Sequence, residues 1–335
     1  MNNERILIVG GTGSLGKTLI KRYVNDNLVC VFSRDESKHW TIKNQIKSKN
    51  LKFFIGDIRD KQRCLESIIN FKPTQIILAS ALKHVDVCER SPSESIKTNI
   101  LGIQNFIDCI KGNVSKFKFI KTVLMVSTDK ACSPINVYGM CKSIAERIVT
   151  SCSTIESNIK FVAVRYGNVL ESRGSIIPLF KYQSENNDFI TVTDKRMTRY
   201  VMTLDESVDL IEAAIINGKT GETWIPELPA MSIQHLAEIF SDISKKEVRY
   251  VGMRPGEKLH EDLINESESM RCRVKGKYRI IESAHNMPFS NLENVMKSNM
   301  SVMKKEELKR RLEDLNILNK PFEKFVGKSI EEIRK

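Results

Sequence analysis

No apolar run in this chain approaches the roughly 18 residues that a membrane-crossing helix needs, so no membrane span and no membrane partner are expected. The opening residues, MNNERILIVGG, set Glu4 and Arg5 directly before a strand-like run. They lack the long apolar core and cleavage site of a signal peptide, and a cytoplasmic protein is expected. C-x-x-C spacing is absent from the eight cysteines (30, 64, 88, 109, 132, 141, 152 and 272), most of which sit in apolar runs. Reduced, buried thiols in a reducing compartment are expected, not a zinc site or a disulfide framework. His84 and His260 have no second histidine at ligand spacing, and no serine sits on a nucleophile elbow. No metal is therefore expected, and both histidines read as packing or hydrogen-bonding residues. Internal repeats and low-complexity tracts are missing as well. Acidic residues are the scarcer charge, 41 Asp and Glu against 53 Lys and Arg, for a formal net charge of +12. The lysines are scattered, with no basic stripe interleaved with aromatics. Nucleic acid is therefore not the expected partner; a solvated lysine-rich surface that attracts phosphate-bearing small molecules is.

What is present is enough for a large core: 335 residues with 41% hydrophobic content fit one big domain or two smaller ones. RILIV (5–9) leads into GGTGSLG and a helical pattern with Leu15, Leu19, Tyr23 and Val24 on one side. Further strand-like runs follow at 28–34, 51–57, 74–81, 122–128 and 160–169, with helix-compatible segments between them. Several are continuously apolar, as strands covered by helices on both faces are. This alternation predicts an α/β fold, a Rossmann-like doubly wound parallel sheet. It breaks after about residue 170. The expected division is a nucleotide-binding domain over 1–170 to which later elements return, a smaller C-terminal substrate-binding lobe over 171–285, and a helical tail over 286–335. In that tail MKKEELKRRLEDL reads as an amphipathic surface helix, with Leu308, Leu312 and Leu315 on its apolar side and Glu306–Arg310 and Glu307–Arg311 spaced as ion pairs.

Gly10, Gly13 and Gly16, with Thr12, Ser14 and Leu15 between them, lie between a strand and a helix, where glycines let the backbone approach a pyrophosphate and the helix N-terminus offers free N–H groups. After the second strand a carboxylate would bind the ribose of NAD. Here FSRDESK brings Ser33, Arg34 and Lys38, which read as a clamp for a 2′-phosphate and hence NADP, while Asp35 keeps NAD open. Asp57 and Ile58 suit an adenine pocket, although Asp57 could instead cap the next helix.

Tyr138 and Lys142 form Y-x-x-x-K, which puts both side chains on one helix face. A phenol with a reference pKa of about 10 is a poor base, and a neighbouring ammonium makes it a usable one. Thr128 closes a strand and can hydrogen-bond a substrate hydroxyl. Oxidising one carbon of a sugar makes the adjacent C–H acidic. A base can then remove that proton while an acid helps a hydroxyl leave one carbon further along. The pair Asp129 and Lys130, beside the tyrosine, suits those two jobs; a salt-bridged turn is the plainer alternative.

Taken together, GGTGSLGK, FSRDE, ALKHVDVCERSP, TNILGIQN, STDKA, INVYGMCK, RYGNVLESRGSIIPLF, MTRYVMTLDE and RPGEKLHEDLI resemble the extended short-chain dehydrogenase/reductase superfamily. More closely, they resemble its 5-inverting UDP-N-acetylglucosamine 4,6-dehydratases of the pseudaminic-acid-synthesis type. The resemblance implies oxidation at carbon 4 by Tyr138, Lys130 as the base at carbon 5 and Asp129 as the acid for the carbon 6 hydroxyl. It gives an L-configured 4-keto-6-deoxy product and internally recycled NADP. It also implies Ala79, Ser80, Ala81, Lys83 and Asn99 along the cofactor channel, with Lys83 reaching toward substrate. Asn168, Arg173 and Ser175 would meet the pyrophosphate and uridine, and Thr198, Arg199, Arg254 and Glu257 would form a lid over the UDP group. A homo-oligomer is expected. A UDP-sugar 4-epimerase and a C5-retaining dehydratase of the same superfamily are the alternatives, with a non-catalytic NADP-binding protein further off.

Overall fold

The computed structural model describes residues 1–154, 157–170, 172, 174–283 and 295–321. Its strands are β1 (Arg5–Val9), β2 (Leu28–Ser33), β3 (Leu51–Ile55), β4 (Gln75–Leu78), β5 (Thr122–Val126), β6 (Lys160–Val164), β7 (Asn168–Val169), β8 (Phe189–Val192), β9 (Thr198–Met202), β10 (Thr223–Pro226), β11 (Ala230–Ser232), β12 (Glu247–Tyr250), β13 (Asp262–Ile264), β14 (Cys272–Lys275), β15 (Tyr278–Ile281) and β16 (Met296–Lys297). The helices are α1 (Ser14–Tyr23), α2 (Glu36–Gln45), α3 (Lys61–Phe71), α4 (Val85–Arg90), α5 (Pro92–Ser95), α6 (Gly102–Lys111), α7 (Val137–Thr150), α8 (Ile176–Asn186), α9 (Leu204–Asn217), α10 (Ile233–Ser244), α11 (Glu266–Ser269) and α12 (Lys305–Asp314).

The central sheet runs β14-β15-β10-β6-β5-β4-β1-β2-β3, with β10 through β3 parallel and β15 and β14 added antiparallel. Its strands are apolar on both faces because each face has its own core. Along β1, Ile6 and Ile8 join a cluster with Leu19 and Ile20 of α1 and Val208 and Ile211 of α9. Leu7 and Val9 join Ile68 of α3, Phe106 of α6 and Val149 of α7. The period of two in side-chain direction thus divides one apolar run between two helical layers, which makes the fold a doubly wound Rossmann α/β sheet.

The run at 160–169 is not one strand. The main-sheet strand ends at Val164, and Asn168–Val169 pairs with β9 in a second sheet, β11-β9-β7. A Cβ on Gly167 would lie 2.4 Å from Cβ of Tyr200, so the chain crosses against β9 where only glycine fits. A third core, including Leu170, Ile177, Phe180, Leu236 and Phe240, contains Leu308 and Leu312 of α12, both fully buried. The tail helix therefore packs against α10, and Arg311 pairs with Glu206 of α9.

Candidate active site

Strand order reverses beside β1 and β4, and a cleft of about 1270 Å³ lies over the C-terminal ends there, the position where doubly wound sheets bind ligands. At its floor Gly10 has φ +83°, a conformation costly for other residues, and a Cβ there would meet the Ser80 backbone at 2.7 Å. A Cβ on Gly16 would lie 2.3 Å from the Gly11 carbonyl oxygen, which presses the first turn of α1 onto the loop. Gly13 is different. It is the N-cap of α1, no side chain caps that end, and an added Cβ would make only an ordinary 3.6 Å contact. Thr12, Ser14 and Leu15 line the cleft beside it. This bare cradle at a helix N-terminus fits the pyrophosphate of a dinucleotide.

Ser33, Arg34, Asp35 and Lys38 also line the cleft, at the end of β2. Arg34 is half-exposed and 3.7 Å from Asp57, while Lys38 and Asp35 are 2.5 Å apart. Ile58 faces the cleft; Asp57 does not. The Asp57 carboxylate accepts from the Arg59 backbone N–H at 2.9 Å and its guanidinium at 2.7 and 3.0 Å, and Asp60, not Asp57, caps α3. Burial alone would raise the pKa of Asp57, but Arg59 outweighs it and the pKa falls. Ala79, Ser80, Ala81 and Lys83 line the channel after β4, whereas Asn99 stands behind it, bonded to both the N–H and the carbonyl of Leu82.

At the centre, Thr128 caps a short turn, Asp129–Ala131, and donates to Asp129 Oδ1 at 2.9 Å. The turn sits against α7. A Cβ on Gly139 would come 2.2 Å from the Lys130 carbonyl oxygen, so the glycine after Tyr138 is what lets the two approach. Tyr138 and Lys142 are both buried on the cleft side of α7. Lys142 Nζ donates to the Val126 carbonyl at 2.5 Å, and burial, only partly opposed by Glu146, lowers its pKa to about 8. Tyr138 is pushed up to about 12 by burial, and the leading charge that favours its phenolate is Lys130. Lys142, expected to activate Tyr138, directs its amine to the Val126 carbonyl of β5, and the charge that most favours the phenolate comes from Lys130 in the Asp129–Ala131 turn.

Lys130 lines the cleft, and its Nζ is 3.1 Å from Asp129 Oδ1, 3.2 Å from Glu261 Oε1 and 3.4 Å from Asn168 Oδ1. Burial alone would lower the pKa of Lys130, but Asp129 and Glu261 outweigh it and hold an ammonium. Asp129 is fully buried behind Lys130 and is not on the cleft surface. Asp129 Oδ2 and Glu261 Oε2 are buried acceptors with no hydrogen-bond partner among the described residues.

At the far end Asn168, Ser175, Arg254 and Glu257 line the cleft, while Arg173 lies outside the described residues. Thr198 and Arg199 do not line it. Arg199 is buried and donates to the carbonyls of Thr198, Lys258 and Leu259, and Thr198 bonds His260 and Ser298. They brace the segment that follows Arg254 and Glu257, because a buried guanidinium needs acceptors and the nearest ones are that segment's carbonyls. The sequence reading did not single out Glu261 or His39. The only signal for Glu261 was its place in RPGEKLHEDLI; His39 follows FSRDESK and looked like one more helix residue.

The model of the family described as "Polysaccharide biosynthesis protein" matches residues 6–283. A UDP-N-acetylglucosamine 4,6-dehydratase (inverting) from Campylobacter jejuni is 39% identical over 276 residues, 80% of this chain and 79% of that protein. A UDP-glucose 4-epimerase from Rickettsia rickettsii is 36% identical over 292 residues, 83% of each. The X-ray structure of Pen from Bacillus thuringiensis superposes with a TM-score of 0.87 at 34% identity, covering 94% of this chain and 99% of that one. The family match spans the seven parallel strands of the central sheet and every residue that lines the cleft, and the chain belongs to the polysaccharide biosynthesis protein family.

Proposed function

We propose that the protein is an NADP-dependent UDP-N-acetylglucosamine 4,6-dehydratase that inverts carbon 5, acting in the cytoplasm as a homo-oligomer. The observation that carries this reading is Lys130, a cleft-lining residue whose amine is held between two buried carboxylates beside Tyr138. An epimerase needs the tyrosine and a nicotinamide but has no use for that arrangement. The named dehydratase relative supports the substrate class, and the epimerase relative keeps the second reading in play. Among the described residues no helix is long and apolar enough to cross a membrane.

A nicotinamide bound in the cleft would supply a reversible hydride acceptor. Gly10, Gly13 and Gly16 would hold its pyrophosphate; Ser33, Arg34 and Lys38 would hold its 2′-phosphate. Tyr138 would take the proton of the carbon 4 hydroxyl; burial favours its phenol form, and the Lys130 ammonium is the leading charge that favours the phenolate this step needs. Lys130 must be neutral to take the carbon 5 proton, yet the resting site holds it charged. One proton passed across the 3.1 Å contact from Lys130 to Asp129 produces the neutral amine that carbon 5 abstraction requires; Asp129, buried off the cleft surface, stores that proton and returns it through Lys130 instead of meeting the carbon 6 hydroxyl itself. Thr128 orients Asp129, and Asn168 and Glu261 keep Lys130 in place. The test is NMR of the product formed from UDP-N-acetylglucosamine in deuterated water without added reductant. A dehydratase gives a 4-keto-6-deoxy sugar of L configuration with deuterium at carbon 5. A UDP-N-acetylgalactosamine product without deuterium would establish the epimerase instead.

A further inference from the structure

Behind the adenosine end of the cleft, Ser33 Oγ and His39 Nε2 are 2.6 Å apart. That distance is a hydrogen bond; the flipped ring would put a carbon there, far inside its contact distance, so Nε2 faces the serine. His39 is 5% exposed, its ring lies against Phe53 with centroids 4.9 Å apart, and Nδ1 has no hydrogen-bond partner among the described residues. Burial lowers the pKa of His39 against the opposing pull of Asp35 and Glu36, which favours the neutral ring. Of the two neutral tautomers, Nδ1–H strands a buried donor, whereas Nε2–H strands only a lone pair. Buried donors without acceptors are the rarer and costlier case. The Nε2–H tautomer therefore donates to Ser33 Oγ. The serine hydrogen has no other acceptor among the described residues, and Ser33 lines the cleft.

We propose that His39 is a positioning residue for cofactor choice: by donating to Ser33 Oγ it turns the serine hydroxyl hydrogen into the cleft as a donor for a 2′-phosphate. A phosphate dianion only accepts, and a donor aimed at it in advance makes a stronger bond than one aimed at a neutral ribose hydroxyl. The inference rests on the NADP reading, and a 2′-phosphate-bearing nucleotide is the ligand class that the arrangement selects.

The test is the dissociation constant of NADPH and of NADH, by nucleotide fluorescence, for the wild type and for His39→Leu, His39→Gln, His39→Asn, Ser33→Ala and the double variant His39→Leu/Ser33→Ala. His39→Leu should weaken NADPH about tenfold, the scale of one charge-assisted hydrogen bond, and leave NADH unchanged. The Gln amide reaches the Nε2 position and should restore NADPH; the Asn amide, too short, should not. Unchanged NADH binding also shows that each variant folds. Because His39 acts through Ser33, the double variant should be no weaker than Ser33→Ala alone. Equal losses of both nucleotides, additive losses in the double variant, or Asn restoring binding as well as Gln would overturn the proposal. A wild type that holds NADH as tightly as NADPH would overturn the NADP reading and this proposal together, and that result appears before any substitution is made.

Discussion

The charge on Lys130 is set by its neighbours, not by its own chemistry. Asp129 and Glu261 hold it as an ammonium, and the ammonium in turn is the leading charge that favours the Tyr138 phenolate. On the proposed dehydratase reading, one residue would serve the oxidation as a cation and the elimination as an amine. Recovered substrate separates the roles of the pair. After incubation in deuterated water at neutral pH, Asp129→Asn should return UDP-N-acetylglucosamine without deuterium at carbon 5, because the amide cannot take the Lys130 proton, and should gain label as the pH rises and Lys130 loses that proton to solvent. Lys130→Ala should return it unlabelled, with cofactor affinity unchanged and turnover lower by about 10²–10⁴-fold, the usual worth of a positioned base. Label recovered from Asp129→Asn at neutral pH would show that Lys130 becomes the base without Asp129. Asp129-Lys130 and Tyr138 could be read from the sequence because chain neighbours and helix spacing hold them. Glu261 could not, because it reaches Lys130 from a segment more than a hundred positions away.

The glycine loop and α1 work as one element, and their glycines are not equivalent. Gly16→Ala puts a methyl into the Gly11 backbone and should destabilise the fold by about 1–3 kcal/mol, read as a lower midpoint of chemical unfolding. Gly13→Ala meets only an ordinary contact and has an unstrained φ of −73°, so its midpoint should stay within about 0.5 kcal/mol of wild type. Its methyl instead occupies the space above the helix N-terminus, and NADPH binding should weaken. If both variants unfold alike, the cradle has been misread as ligand space. The turn at Asp129–Ala131 and α7 form a second such unit, joined through Gly139. The sequence marked both helices by their spacing. It did not mark Asn168 as leaving the main sheet, since Gly167 alone does not say where the chain turns and only its crossing against β9 decides that.

Across the whole molecule, the Asp129–Ala131 turn is tied to the C-terminal part by a buried charge cluster. Arg165 at the end of β6 bonds Glu146 of α7 at 2.5 Å and Glu268 of α11 at 2.7 Å, and the Cys132 thiol reaches Glu268 at 3.4 Å. Burial would raise the pKa of Glu268, but Arg165 outweighs it and lowers it to about 2. A carboxylate whose pKa is depressed on folding contributes stability above its unfolded pKa of about 4.3, and that contribution is lost as the pH falls toward about 2. Glu268→Gln should therefore cost about 3 kcal/mol at neutral pH, measured by urea unfolding. The gap to wild type should close as the pH drops through that window. A gap that stays constant would mean that the carboxylate's charge plays no part.

The sequence by itself determined the alternating sheet, the glycine cradle and the neighbours Asp129, Lys130 and Tyr138, because each depends on spacing of a few residues. Only the tertiary structure decided which cation faces the phenol and that Glu261 stands behind Lys130. It also decided that Arg199, Thr198, Asp57 and Asn99 brace the site from behind its surface and that His39 backs Ser33. The physical reason is that a charge or a donor acts through distance and burial. Both are set by segments that meet only when two helical layers close on the sheet and a third core folds against it.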